Sequence, residues 1–390
     1  MIPGPIEVST GVREAYSVSP PSHVSPGLIA DFSQSLKAMR KVWLADENSQ
    51  PFIVPGSGTL AMEMAVTNVL DAGDLAVVVD TGYFSQRMVE MIRRRGSRVA
   101  VVSAPPGEAP PLTAVEAVLS QEKVKALFST HVDTSTGVRV DAEALTGLAK
   151  RFGALSVFDG VCATAAERFD MSGWGADVYL TASQKAIGLP SGLALMVVSQ
   201  SALATRGSLK HPPPMSVDFD MWRPVMEAYE EGRPSYFSTP STNLIGALYV
   251  GLQEILASEL GEIKGVDARF NLHTRAASAF RAAWRSLGVC MLPATELIAA
   301  NTLCAVKYPR GVDSRVLSLI KDRGVIVAGG LFPGLSKSYF RVGHMGHTVT
   351  RDDWIVDSVE AISASLVKAG HRGPVQDATN AACGVLDASR

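Results

Sequence analysis

The sequence predicts an α/β protein. A large domain built on a mostly parallel, doubly wound sheet precedes a smaller C-terminal α+β domain. Three observations carry this. Short apolar runs alternate with helical patterns between about residues 52 and 198. The pattern changes after Val198, and a second set of helices and strands begins near residue 265. The chain has 390 residues, 47% of them hydrophobic, enough for two cores.

Residues 1–25, rich in Pro and Ser, read as an N-terminal arm that docks on a neighbouring subunit or rims a site. The large domain is expected over 26–264. Pro26 begins a helix with Phe32, Leu36, Met39 and Val42 at helical spacing. Phe52-Ile-Val-Pro then runs into Gly56-Ser57-Gly58-Thr59 and a helix over Leu60–Leu70. A turn that opens a helix leaves N–H groups free at the positive dipole end, a ready phosphate site, although most such turns are only tight turns. Ser57 and Thr59 could add hydroxyl donors.

Leu75–Val79 is a buried type of strand, followed by Asp80–Arg87 leading into a helix. The aromatics there could stack on a flat ring or simply close the core. Arg98–Val102 and Val124–Ser129 read as strands, and Leu112–Leu119 and Ala142–Phe152 as helices. The hydroxyl-rich Thr130–Gly137 segment suits a phosphorylated, phenolic cofactor, and His131 within it reads as either a core or a site residue. Leu155–Asp159 and the runs from Val178 and from Leu193 to Val198 complete the alternation. Gly232–Pro240 is a loop, and Asn243–Leu260 a long helix. The small domain, 265–370, should hold helices over Leu272–Leu287 and Trp354–Ala369. Its strands are expected near 303–306, near 325–328 and at Tyr339–Gly343. Residues 371–390 read as a flexible tail.

Two residues suggest chemistry. Asp159 closes a parallel strand, where open α/β sheets bind ligands. Lys185 sits alone between two segments that want burial, and desolvating an ammonium costs several kcal/mol. Burial lowers a lysine pKa and frees a nucleophilic amine, although a loop-tip lysine snorkelling to water fits the same residues. A carboxylate with such a lysine is the arrangement pyridoxal phosphate needs. Arg341, between Phe340 and Val342, reads equally as a clamp on a substrate carboxylate or as half of a structural ion pair.

A net charge of −2 with no basic stripe argues against nucleic acid. The lack of a long apolar run argues against a membrane span. Four scattered cysteines suggest a reducing compartment, and Cys290 and Cys304 read as buried, inert thiols. The N-terminus resembles no targeting peptide, so a cytoplasmic location is expected, with peroxisome and mitochondrion left open.

Pro3-Gly4-Pro5, Gly56-Ser57-Gly58-Thr59, Thr130–Gly137, Asp159, Ser183-Gln184-Lys185, Tyr236 with Thr239, and Arg341-Val-Gly343 occur in this order. Together they resemble the class V, fold type I pyridoxal phosphate aminotransferases, in the alanine–glyoxylate (serine–pyruvate) branch, over about residues 2–365. The resemblance implies that Lys185 is the Schiff-base lysine and proton shuttle and that Asp159 pairs with the pyridine nitrogen, with Val161 against the ring. Ser57, Gly58, Thr59 and Gln184 would hold the phosphate, and Thr134 would lie near the cofactor. Tyr236 and Thr239 would reach the phosphate of a partner subunit, which implies a homodimer with shared sites. Gly4 would line the substrate entrance, and Arg341 would grip the α-carboxylate. Phe84 stands where the branch usually carries a stacking tryptophan, and Gly160 where a Ser or Ala is common, which should loosen that turn. The activity so implied is ping-pong transfer of an amino group from alanine or serine to glyoxylate or another small 2-oxo acid. A 2-aminoethylphosphonate transaminase, a cysteine desulfurase or other lyase, a specialised-metabolism enzyme and an inactive binding protein are the alternatives.

Overall fold

The computed structural model describes residues 1–388. Its centre is a seven-stranded sheet: β1 (Gln50–Pro55), β2 (Leu75–Asp80), β3 (Arg98–Ser103), β4 (Ala126–Thr130), β5 (Leu155–Asp159), β6 (Val178–Ala182) and β7 (Leu193–Val198). The spatial order is β1-β7-β6-β5-β4-β2-β3. Strands β2 to β6 pair in parallel, and β7 runs antiparallel to both β6 and β1. Six strands therefore point one way. The central ones are buried along their whole length, which is why they read as unbroken apolar runs rather than alternating ones.

Helices α1 (Thr10–Tyr16), α2 (Pro26–Val42), α3 (Gly58–Val69), α4 (Tyr83–Arg94), α5 (Leu112–Leu119) and α6 (Ala142–Arg151) follow in the chain. Ser9 caps α1 by accepting from Val12 N at 3.1 Å, and Asp141 caps α6 by accepting from Ala144 N at 3.0 Å. The half of α2 predicted from Phe32, Leu36, Met39 and Val42 is the buried face. Phe32 stacks on Tyr229 with ring centroids 4.3 Å apart.

The second core gathers on a three-stranded antiparallel sheet made of β8 (Leu303–Lys307), β9 (Ala328–Gly329) and β10 (Tyr339–Gly343), with β10 central. The longest helices in the second half of the chain are α7 (Thr242–Leu256), α8 (Gly265–Leu287), α9 (Asp352–Lys368) and α10 (Val375–Ala388). Phe280, Trp284, Phe340, Val342 and Ile362 are fully buried here. No helix among the described residues is long and apolar enough to cross a membrane.

Several elements depart from expectation. The arm contains α1, whose Val12 enters the main core. Helix α8 begins at Gly265, before Leu272, and α7 stops at Leu256, after which Glu259–Leu260 and Ile263–Lys264 form a small hairpin. The strand near 325–328 shrinks to Ala328–Gly329. Cys290 is exposed, not buried. The expected loose tail is instead helix α10. Ala378, Ala382 and Leu386, four residues apart, form a buried stripe in the second core, a short amphipathic period hidden among small residues. Arg275 ties this helix down, donating to Leu386 O at 2.5 Å while pairing with Asp352 at 2.6 Å. Residues 389 and 390 of that tail lie outside the described residues.

Ala382→Asp would bury an unpaired charge under α10, so unfolding by denaturant should show a loss of roughly 2–4 kcal/mol. Wild-type stability in that variant would mean that the tail is not docked.

Candidate active site

The carboxyl ends of the parallel strands deliver the expected residues to one edge of the sheet. Strand β1 leads to Gly56–Thr59, β2 to Gly82–Phe84, β4 to His131–Thr134, β5 ends on Asp159, and β6 is followed by Lys185. Registers Thr130↔Asp159 and Asp159↔Leu180 fix the three central ends side by side.

Asp159 is buried, and one carboxylate oxygen accepts from Val161 N at 2.8 Å. Burial pushes its pKa up to about 7. The neighbouring Asp133 adds to the rise, while the Val161 amide, Lys185 and Arg87 oppose it. Val161 in turn packs on the start of α3, where a Cβ added at Gly58 would lie 2.9 Å from Val161 Cγ2. The turn after Asp159 is not loose. Gly160 N donates to Leu180 O at 2.8 Å, and its carbonyl accepts from Thr164 N at 2.8 Å. A Cβ at Gly160 would lie 2.4 Å from Tyr179 Cζ, so the glycine makes room for that ring. Tyr179 stacks on Phe169 at 3.7 Å, and its hydroxyl lies 2.9 Å from His131 Nδ1. Burial, and then the Arg139 charge, push His131 down to about 3, so it is a neutral core histidine.

Lys185 is 8% exposed. It is no snorkelling loop-tip residue. Burial lowers its pKa and the Arg341 charge lowers it further, while Cys162 and Asp159 act the other way. Its ammonium donates to the carbonyl of Pro3. Gly4 adopts φ +91°, and a Cβ there would sit 2.6 Å from Lys185 Cδ. The arm thus lies directly over the lysine. It is held from the other side by Gly343 N, which donates to Met1 O at 2.8 Å.

At the α3 end, the amides of Gly58 and Thr59 belong to the first turn and have no intrahelical acceptor, while Leu60 N is capped by Ser57 Oγ at 3.4 Å. Gln184 carries a buried side-chain oxygen with no partner. Facing them, Phe84 is half-buried at the start of α4. Its amide and that of Ser85 donate to Asp133 Oδ2 at 3.0 and 3.2 Å. Asp133 was not singled out in the sequence. The Asp-Thr-Ser run, in which Ser135 N donates to Asp133 Oδ1 at 2.9 Å, is the local turn signature that could have flagged it.

Arg341 forms no ion pair with a described carboxylate. Its Nε donates to Gly329 O at 2.8 Å and Nη1 to Thr134 O at 3.2 Å, so carbonyls position the guanidinium and leave its charge uncompensated. The structural ion pair is therefore not formed. Tyr236 and Thr239 stand exposed on the 232–240 loop, their hydroxyls 3.3 Å apart, and no hydrogen bond among the described residues joins them to Ser57, Thr59 or Gln184.

Two outcomes test this geometry. With its folded pKa near 7 against an ordinary 3.8, Asp159 holds a proton in the cofactor-free folded state that the unfolded chain has lost. Stability contributed by this group is thus present below about pH 4 and is lost as pH rises to about 7, by at most about 4 kcal/mol. Cofactor-free Asp159→Asn protein should therefore gain in Tm over wild type progressively across that window. A gain independent of pH would contradict the assignment. Gly4→Ala, strained in backbone and pressed on Lys185, should lower kcat at least about tenfold with the fold intact by circular dichroism. Full turnover would show that the arm does not constrain the lysine.

Known proteins share this chain's sequence pattern and fold. The family described as aminotransferase class-V matches residues 21–337. The alanine–glyoxylate aminotransferase 1 of Saccharomyces cerevisiae is 36% identical over 363 residues, spanning 89% of this chain and 92% of that protein. The L-aspartate–glyoxylate aminotransferase of Paracoccus denitrificans is 31% identical over 351 residues, spanning 88% and 85%. Among solved structures, the ureidoglycine–glyoxylate aminotransferase of Bacillus subtilis superposes with a TM-score of 0.90 at 20% identity, over 99% of this chain and 97% of that one. The fold is therefore that of the fold type I enzymes, and the chain belongs to the class-V aminotransferase family.

Proposed function

We propose that this transaminase moves an amino group from alanine or serine to glyoxylate, or to another small 2-oxo acid, in a ping-pong cycle. The carrying observation is the pair Asp159 and Lys185 on one sheet edge, with an uncompensated Arg341 beside them. The names of the yeast and Paracoccus relatives support glyoxylate as acceptor.

The family implies pyridoxal phosphate, and the residues present fit it. A buried carboxyl titrating near 7 can ionise beside a protonated pyridine nitrogen. The open amides of Gly58 and Thr59 suit phosphate oxygens, as does Gln184 once its amide turns its N–H₂ inward. The small Gly58 leaves Val161 space to pack beneath a ring. Bound there, the cofactor supplies an electron sink for the α-carbon of the amino acid.

The chain's own residues do the rest. Lys185, made less basic by burial, would hold the cofactor through its amine and is the base placed to take the α-proton and return it. Asp159 would hold the proton on the ring nitrogen. Phe84 would lie against the ring, and Thr134, whose carbonyl fixes Arg341, would lie near it. Arg341 receives the α-carboxylate bidentately. The Pro3–Gly4 arm excludes water above the lysine. In the homodimer inferred here, Tyr236 and Thr239, exposed in the single chain, would serve the phosphate of the partner.

The half-reaction decides. Adding alanine or serine to the yellow holoenzyme should bleach its visible band, and glyoxylate should restore it. 2-Aminoethylphosphonate, which lacks an α-carboxylate, should not bleach it. Arg341→Ala should cut kcat/KM for alanine by about a hundredfold, mainly through KM. Bleaching by the phosphonate alone would overturn the reading.

A further inference from the structure

We propose that Arg87 is the cation of the phosphate cradle and acts through the Thr59 hydroxyl, an inference that rests on the cofactor site described above.

Every phosphate donor assigned so far, on Ser57, Gly58, Thr59 and Gln184 and on a partner's Tyr236 and Thr239, is neutral. A dianion held by neutral donors alone forgoes the charge-assisted bonds that normally dominate phosphate recognition. Helix α4 supplies the missing charge. It starts at the same sheet edge, and Arg87 follows Phe84 by three residues, so both side chains share one face of the helix. Arg87 Nη1 lies 3.0 Å from Thr59 Oγ1 in the first turn of α3, and Nη2 lies 3.2 Å from Tyr83 Oη. The guanidinium also covers the Phe84 ring, 5.1 Å from its centroid, and the Tyr83 ring at 5.0 Å. No described carboxylate forms an ion pair with it.

The direction of the Thr59 bond carries the argument. A guanidinium only donates, so Thr59 Oγ1 must accept and its own proton must go to a further acceptor. At the open turn of α3, beside the free Gly58 and Thr59 amides, that acceptor is a phosphate oxygen. Arg87 thereby orients the hydroxyl, adds positive charge at the phosphate end, and holds the face of Phe84 turned away from the ring. It is a positioning residue. The half-buried guanidinium could instead serve only to pack Tyr83 and Phe84, and the two roles separate by ligand.

The test measures the binding of pyridoxal phosphate and of pyridoxal, which lacks the phosphate, to the cofactor-free protein by fluorescence quenching. Arg87→Met should weaken pyridoxal phosphate at least about tenfold and pyridoxal by no more than about twofold. Thr59→Val should give a similar selective loss, and the double variant should lose little more than either single one. Equal losses for both ligands would assign Arg87 to packing Phe84, and additive losses would remove Thr59 from its action; either result overturns the proposal. If Arg87→Met does not fold, Arg87→Gln, which keeps an amide donor without the charge, takes its place with the same expected split. Wild-type protein that binds neither ligand would defeat the cofactor site itself, whereas tight binding undisturbed in both variants would defeat the role of Arg87 alone.

Discussion

The parallel register of strands β4, β5 and β6 is the constraint on which the site depends. Pairing Thr130 with Asp159 and Asp159 with Leu180 brings the ends of β4 and β5 level, two residues short of the end of β6. Whatever the chain places just beyond them must then share one crevice. Asp159, Asp133 and Lys185 meet there out of water, where the two carboxyls repel, and the attraction of Lys185 for Asp159 and the Val161, Phe84 and Ser85 amides only partly offset the cost. The carboxyl of Asp159 titrates near neutrality for that reason.

The N-terminal arm makes the two domains answer to each other. Met1 is fixed to Gly343 on the small sheet, Pro3 and Gly4 cover Lys185, and Ser9 and Val12 anchor the arm in the large domain. Arg341 lies on the same small-sheet strand as Gly343 and is aimed by Thr134 from the large domain. Tyr339, also on that strand, donates to Ser135 O. Arg341 and Lys185 are thus set by one piece of chain and one strand, and a shift of that strand moves both.

The parallel sheet was legible because buried strands leave continuous apolar runs, and Asp159 and Lys185 because a charge closing such a run has few reasons to be there. Elsewhere the signal was weaker or misleading. The Ala378, Ala382 and Leu386 stripe is built of small residues within a polar-looking stretch, so helix α10 read as loose tail. Gly160 suggested looseness, while the structure shows a position where only glycine leaves room for Tyr179, a contact between strands that sequence spacing does not report. The partner of Arg341 could not be read at all, since two carbonyls from distant segments hold it. Asp133 was missed because its role lies in backbone amides across the sheet edge.

The central claim is that Asp159 and Lys185 grip opposite ends of one cofactor ring. Borohydride treatment of the holoenzyme covalently fixes the cofactor to the amine that holds it, and peptide mass mapping then locates it. The account predicts the added mass on Lys185 alone in wild-type protein. Added mass on any other lysine, or none on a protein that carries the cofactor, would contradict it.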